Sequence, residues 1–327
     1  MILIKSIEED ISTNDVVKWL LRFNANFLRL NDITKIKNIR YVNHSFYIEL
    51  ANGYTFDLTN VTAYWYRRGI FKFKVIAPVS GNKVFDREHE SHICYESKSA
   101  FDFFISFLKK SILCIGDSVL CTEVNKNIVL ETARKLKLNV PEFIITTKKP
   151  DIEAFLQVHK NVITKPIHLP FTYSTTQHWF PTYTEKINRN MLFQMPECFP
   201  TTLFQNEIQK KFEVRTFYLK GKFYSMAIFS QRDTQTKTDF RLYNYEKPNR
   251  NVPFKLPTNV EKQLDKLMCA LKFESGSIDM IYSLDKKYYF LEINPIGQFG
   301  MVSYPCNYYI EKKIAEILLK EINLDYF

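Results

Sequence analysis

The sequence predicts a mixed α/β fold of the α+β kind, built in more than one unit, and three observations predict it. Short runs such as FYIELANGYTFDL and EVRTFYLKGKFYSMAIFS alternate apolar and polar residues as strands do. In VNKNIVLETARKLKL, by contrast, Val124, Ile128, Leu130, Ala133 and Leu136 recur at roughly helical spacing. Glycine is scarce, 8 residues in 327, and neither G-x-G-x-x-G nor G-x-x-x-x-G-K occurs, which excludes the Rossmann and P-loop versions of an α/β chain.

Residues 1–115 read as an N-terminal α/β domain. Ile2 to Ile4 is a short apolar strand, and Ser12, Thr13 and Asn14 offer caps for a helix through Val16, Val17, Leu20 and Leu21. Phe27 to Leu30 is a second strand, completing a βαβ start. Two alternating runs about Asn52-Gly53 predict a hairpin. The strand TAYWYRR follows, then a helix from Glu88 to Lys110 and a strand from Ile112 to Ile115. Residues 116–190 form a central unit: a helix from Glu123 to Leu138 stopped by Pro141, strands EFIITT and VITKPI about a helix from Ile152 to His159, and a loop from Ile167 to Thr184. Residues 191–327 carry the strands TLFQNEI, EVRTFYLKG, KFYSMAIFS, GSIDMIYS and YYFLEINP, with a turn at Gly221 and helices from Asn259 to Leu271 and Asn307 to Glu321.

Composition narrows the partners. The chain is 46% hydrophobic over 327 residues, enough for two or three domains with cores of their own. No apolar run reaches the roughly 20 residues of a membrane span, and MILIKSIEEDIS has no basic region or cleavage site of a signal peptide. The six cysteines form no C-x-x-C, so the expectation is a reduced, cytoplasmic chain without a membrane. His89 and His92 stand three apart with no third metal ligand in view. Lys and Arg exceed Asp and Glu by 45 − 35 = 10, which suits an anionic partner. The excess is spread out, with no basic tail, and this argues against nucleic acid.

The segment SIDMIYSLDKKYYFLEINP places oxygen-bearing side chains where an apolar sheet should have none. It reads as two strands with a turn at Asp285-Lys286. Glu292 and Asn294 share one face, and Asp279 lies on the preceding strand. Two carboxylates and an amide oxygen are hard ligands suited to Mg²⁺ that also bridges phosphates. A strand-end Asp279 and a solvent-facing Glu292 are the competing reading. The Glu-x-Asn-Pro ending resembles the magnesium-binding hairpin of ATP-grasp ligases, because Pro295 stops the strand where the polar pair is presented.

Without a P-loop, ATP must be held by side-chain cations and a strand that reads adenine. Lys165 in ITKP is the first candidate cation, and Lys126 at a helix start is the second. Gln205, Asn206, Glu207 and Ile208 form a stretch whose backbone can read adenine; Glu213 can accept the ribose hydroxyls, with Arg215 on the same strand face. In SQRDTQTKTDFRLYN, Arg232, Asp239 and Arg241 bring an arginine that could meet charge developing at a phosphoryl group.

This ordered set resembles the ATP-grasp fold over roughly residues 115–327, preceded by a pre-ATP-grasp-like α/β domain. Within that superfamily the chain is most similar to the graspetide (microviridin-like) peptide maturases, and among these to the ATP-grasp maturase of grasp-with-spasm systems. The resemblance is carried by MILIKS, FLRLND, YWYRRG, FEVRTFYLKGKFYSMAIFSQ and TDFRLYN before NRNVPFKLP. It implies a cytoplasmic ligase, a homodimer, that uses ATP and Mg²⁺ to phosphorylate Asp or Glu side chains of a ribosomal precursor peptide with a leader and an acidic core. Thr or Ser hydroxyls or Lys amines then close ω-esters or ω-amides. It further implies Asp279, Glu292 and Asn294 as metal ligands, Lys126 and Lys165 on phosphates, Gln205 to Ile208 and Glu213 on the nucleoside, and Lys165, Arg215 and Arg241 in catalysis. Arg67, Arg68, Arg232 and Asp239 are expected to meet the peptide. The hinge departs from the family's frequent Gln-Glu-Tyr, reading Gln205-Asn206-Glu207. A ligase adding an amino acid to a protein or peptide would share every ATP residue, and a basic nucleic-acid-binding module is the reading from another class.

Overall fold

The computed structural model describes residues 1–74, 80–121, 124–167, 172–174, 179–181, 184–231, 246 and 248–320. The chain divides into two compact units, Met1–Cys121 with Tyr309–Phe327, and Thr122–Tyr308.

The first unit opens with β1 (Ile2–Lys5), α1 (Ile11–Arg22), β2 (Phe27–Leu30), β3 (Lys35–Val42), β4 (Ser45–Leu50), β5 (Thr55–Asp57), β6 (Ala63–Tyr66) and β7 (Lys72–Phe73). Then come α2 (Lys83–Ser111) and β8 (Leu113–Ile115). Strands β2-β1-β6-β8 make an all-parallel sheet. Every residue of β1 and β6 is buried, as expected of parallel strands covered on both faces. Helix α1 starts at Asp10, ahead of the expected caps, because Ser12 and Thr13 turn inward: Thr13 Oγ1 donates to Asp10 Oδ2 at 2.6 Å and lies 2.7 Å from Ser6 Oγ. The Asn52-Gly53 hairpin forms as expected, with Gly53 at φ +87°. It joins a second sheet, β5-β4-β3-β7. Strand β3 was not expected: KIKNIRYV has only Ile36 buried, so it lacks the alternation that marks a half-buried strand. Helix α2 begins at Lys83, five residues before the expected Glu88, because Asn82 Oδ1 accepts from the amides of Val84 and Phe85.

The second unit contains α3 (Lys126–Lys135), β9 (Phe143–Lys148), α4 (Lys149–Val158), β10 (Val162–Lys165), β11 (Thr172–Ser174), β12 (Trp179–Pro181), β13 (Glu185–Lys186), α5 (Arg189–Gln194) and β14 (Cys198–Asn206). It continues with β15 (Lys210–Leu219), β16 (Lys222–Phe229), β17 (Arg250–Phe254), α6 (Thr258–Ala270), β18 (Ser275–Ser283), β19 (Tyr288–Asn294) and α7 (Gly300–Cys306). One antiparallel sheet runs β13-β10-β14-β9 and another β17-β16-β15-β18-β19. Helices α3 and α6 close one face of the five-stranded sheet around Leu130, Ala133, Leu264, Leu267, Met268, Ile278 and Phe290, all within 1% of full burial. Each such aliphatic or aromatic side chain contributes about 1.5–3 kcal/mol on burial. The opposite face sets Glu213, Arg215 and Asp279 among the apolar Phe217, Met226, Ile228 and Ile281, and there the candidate site forms.

The C-terminal helix α8 (Ile310–Leu319) buries Ile310, Ile314 and Leu318 and packs on α1 and β6 in the first unit. The helix expected from Asn307 begins instead at Ile310, because Asn307 and Tyr309 adopt left-handed φ values of 53° and 51°.

Candidate active-site cleft

A cleft of about 880 Å³, solvent included, opens between the two sheets of the second unit. Its lining takes Lys165 from β10, Gln205 to Ile208 from the end of β14, Lys210, Glu213 and Arg215 from β15, Asp279 from β18 and Glu292 from β19. Most of the residues singled out in the sequence therefore meet at one place.

The acidic pair is brought together by a bulge. Asp279 lies directly opposite Glu292, but the next partner of Met280 is Phe290, so Leu291 is the extra residue. In an unbulged hairpin Asp279 would oppose Leu291, and Glu292 would point to the other face. The bulge thus turns both carboxylates into the cleft while Ile278 and Ile293 stay paired in the core. Asn294 shares the face of Glu292 but is exposed, and its Oδ1 accepts from the Ile296 amide at 3.1 Å. It does not line the cleft wall itself.

Cations balance the acids. Arg215, opposite Asp279 on the neighbouring strand, donates through Nη1 to Oδ1 and Oδ2 at 2.9 and 3.0 Å. Lys126 Nζ stands 3.6 Å from Glu292 Oε2. Lys126 is the first residue of α3, whose N-terminus is capped by Asn125 Oδ1 on the amides of Asn127 and Ile128.

Glu213 is 5% exposed, and both its oxygens are engaged: Lys210 Nζ donates to Oε1 and Ser230 Oγ to Oε2, each at 2.5 Å. Lys210 and Ser230 are additions to the residues singled out in the sequence. Alternation places positions 210 and 213 on opposite faces. A register shift between Lys210 and Phe212 cancels that alternation, and no sequence signal marked it. At the hinge, the amides of Asn206 and Glu207 donate to Glu142 O at 2.9 Å and Asn161 O at 2.8 Å. Glu207 also pairs with Lys186 at 2.6 Å. The Gln205 side chain is 2% exposed, lines the cleft, and its Oε1 has no hydrogen-bond partner among the described residues.

Arg67 and Arg68 lie in the first unit. Arg67 is 4% exposed and ion-paired to Asp10 at 3.2 Å, and burial pushes its guanidinium down to about 10 against the pull of Asp10. Arg68 is partly exposed. Arg232, Asp239 and Arg241 lie outside the described residues.

The donor set fits a hard divalent cation. Two facing carboxylates with an adjacent amide oxygen are all-oxygen ligands, and Mg²⁺ usually takes one or two carboxylates and completes its shell with water and phosphate oxygens. Among the described residues no three His, Cys, Asp or Glu side chains cluster as a closed structural metal site would require.

No family model matches the chain, and no curated protein does. Solved structures do match over almost the whole chain. Macrocyclase MdnC from Microcystis aeruginosa MRC, bound with precursor peptide MdnA, is 25% identical, with 97% of this chain and 98% of that one covered at a TM-score of 0.76. This is an ATP-grasp fold. The Chryseobacterium gregarium RiPP-associated ATP-grasp ligase, in complex with ADP and a leader and core peptide, is 21% identical, covering 97% and 96% at a TM-score of 0.76. ATP-grasp ligase PsnB, complexed with minimal precursor, Mg and ADP, is 13% identical, covering 97% and 96% at a TM-score of 0.69. The likeness to RiPP macrocyclases and ligases covers residues of both units of the chain. Among its described residues, no helix of this ATP-grasp chain is long and apolar enough to cross a membrane.

Proposed function

We propose that the chain is an ATP-dependent peptide macrocyclase of the graspetide-maturase type. One observation carries the reading: likeness to a peptide-bound macrocyclase runs through 97% of the chain, the first unit included, rather than through the ATP-binding part alone. An Asp or Glu carboxylate of a precursor peptide attacks the γ-phosphorus of ATP, and ADP leaves. The resulting acyl phosphate is attacked by a Thr or Ser hydroxyl or a Lys amine, and phosphate departs with the second C–O bond. Each ring closes with the net loss of one water.

The residues of the cleft suit these steps. Asp279 and Glu292, with Asn294 beside them, would hold magnesium, which supplies neutralisation of the phosphate oxygens when bound. Lys165 would hold a phosphate from the opposite wall, and Lys126 would do so from the N-terminus of α3. Hinge recognition of adenine falls to Ile208, the hinge carbonyls and Gln205 Oε1, since the Asn206 and Glu207 amides are already used in the sheet. Glu213, held by Lys210 and Ser230, presents its remaining lone pairs to ribose hydroxyls. Arg215 would position the acyl phosphate, with Arg241 as its expected companion. Arg68, Arg232 and Asp239 remain proposed contacts of the peptide, whereas Arg67 is buried against Asp10 and would act only by holding the strand that presents Arg68.

The test is to incubate the protein with MgATP and an acidic, Thr- and Lys-containing precursor. Mass spectrometry should show loss of one water per bond together with ADP and phosphate release. A mass gain would assign amino-acid addition instead, and ATP stability in the presence of every peptide offered would overturn the ligase reading.

A further inference from the structure

The two acids proposed to hold a metal each face a cation of the chain itself. Arg215 contacts both oxygens of Asp279 through one nitrogen, at 2.9 and 3.0 Å, and Lys126 stands 3.6 Å from Glu292. Arg215 is 8% exposed, so its charge has little water to fall back on. Each pair sums to zero charge.

We propose that Arg215 and Lys126 are resident counter-ions of the metal site: a divalent cation enters by displacing them, and only then do they turn to phosphate and acyl phosphate. This deepens the macrocyclase reading and rests on Asp279 and Glu292 being metal ligands. The exchange conserves charge at the carboxylates, because one divalent ion replaces two monovalent cations. It also gives the metal-free cleft a definite property. Before metal arrives, Arg215 and Lys126, two of the positive groups that would meet phosphate, are engaged with the carboxylates. After it arrives, two positive charges are released toward the cleft. Metal and nucleotide should therefore bind with positive coupling, which is reciprocal by linkage. Arg215 is a positioning residue in this step, acting on the metal through Asp279.

The test uses the full-length protein without nucleotide or peptide, and Mn²⁺ as the probe, followed by electron paramagnetic resonance and calorimetry. Arg215→Gln removes the competing charge and should tighten Mn²⁺ by about tenfold, since a charge this close in a partly buried site interacts strongly. Lys126→Gln, at a more exposed position, should tighten it less and leaves folding intact. Arg215→Lys should restore much of the competition. Adding ADP should tighten Mn²⁺ clearly in the unchanged protein and less in Arg215→Gln. Asp279→Asn should abolish binding. If Asp279→Asn binds Mn²⁺ as the parent does, the metal assignment itself fails. If Asp279→Asn loses Mn²⁺ while Arg215→Gln and Lys126→Gln leave affinity unchanged or weaker, the metal site stands and the counter-ion proposal falls.

Discussion

Replacing Lys5 with Met should stabilise the protein at neutral pH, and the gain should vanish in alkali. Lys5 is 1% exposed at the end of β1, and burial pushes its ammonium from 10.5 down to about 8. A lysine depressed in the folded state binds its proton less well than in the unfolded chain. Its penalty is therefore complete below pH ~8, and stability rises between about 8 and 10.5 as the unfolded chain alone keeps the proton. At 1.36 kcal/mol per pH unit the gap corresponds to about 3 kcal/mol. Met keeps the apolar stem but forfeits the donors to Ser6 O at 3.1 Å and Leu30 O at 3.3 Å and the contact over the Phe71 ring at 5.5 Å. Leu30 O still accepts from the Ser6 amide at 3.2 Å. Allowing about 1 kcal/mol for each of the two lost hydrogen bonds leaves a net gain of about 1 kcal/mol at pH 7. Urea unfolding of both proteins at pH 7 and pH 10.5 measures it. A difference that does not change with pH, or a variant less stable at pH 7, would refute the reasoning.

Asp10→Asn should cost about 3–5 kcal/mol in stability, read by thermal and urea unfolding, because it strands the buried Arg67 guanidinium. Glu213→Gln should weaken ATP far more than 2′-deoxy-ATP, compared by KM; an equal loss for both nucleotides would move Glu213 away from the ribose. Lys165→Ala should lower turnover by roughly 10²–10³-fold while leaving the unfolding midpoint nearly unchanged, as expected of a charge meeting the transferring phosphoryl group. The KM for an acidic precursor should rise clearly with salt while that for MgATP changes less, since exposed charges are screened within about 8 Å at physiological ionic strength; a flat profile would make peptide binding mainly apolar.

Where residues alternate cleanly, sequence and structure agree. The Asn52-Gly53 hairpin and strands β15, β16, β18 and β19 follow from strand period and turn chemistry, whereas the meeting of Lys165, Gln205, Glu213, Arg215, Asp279 and Glu292 in one cleft matches what the family resemblance implied. The departures arise where backbone irregularity or tertiary contact decides. Strand β3 gains its place by pairing with β4 and β7, not from an apolar face of its own. The Lys210–Glu213 contact depends on a register shift that residue identity does not encode locally. The bulge at Asp279 is a similar case, although the acids themselves were conspicuous in an apolar hairpin. The inward turn of Ser12 and Thr13 reflects the buried Asp10 network rather than cap preference.

The packing of α8 on α1 has a consequence for synthesis. The first unit is written in two separate stretches of chain, with the whole of Thr122–Tyr308 translated between them. Val16 and Leu20 of α1 are fully buried, and α8, which packs on that helix, brings Ile310, Ile314 and Leu318. On the ribosome the first stretch emerges early and must wait, its apolar groove open, until the last helix clears the exit tunnel. The continuous second unit, which holds the candidate cleft, has no such delay, so it can order first even though it is encoded later.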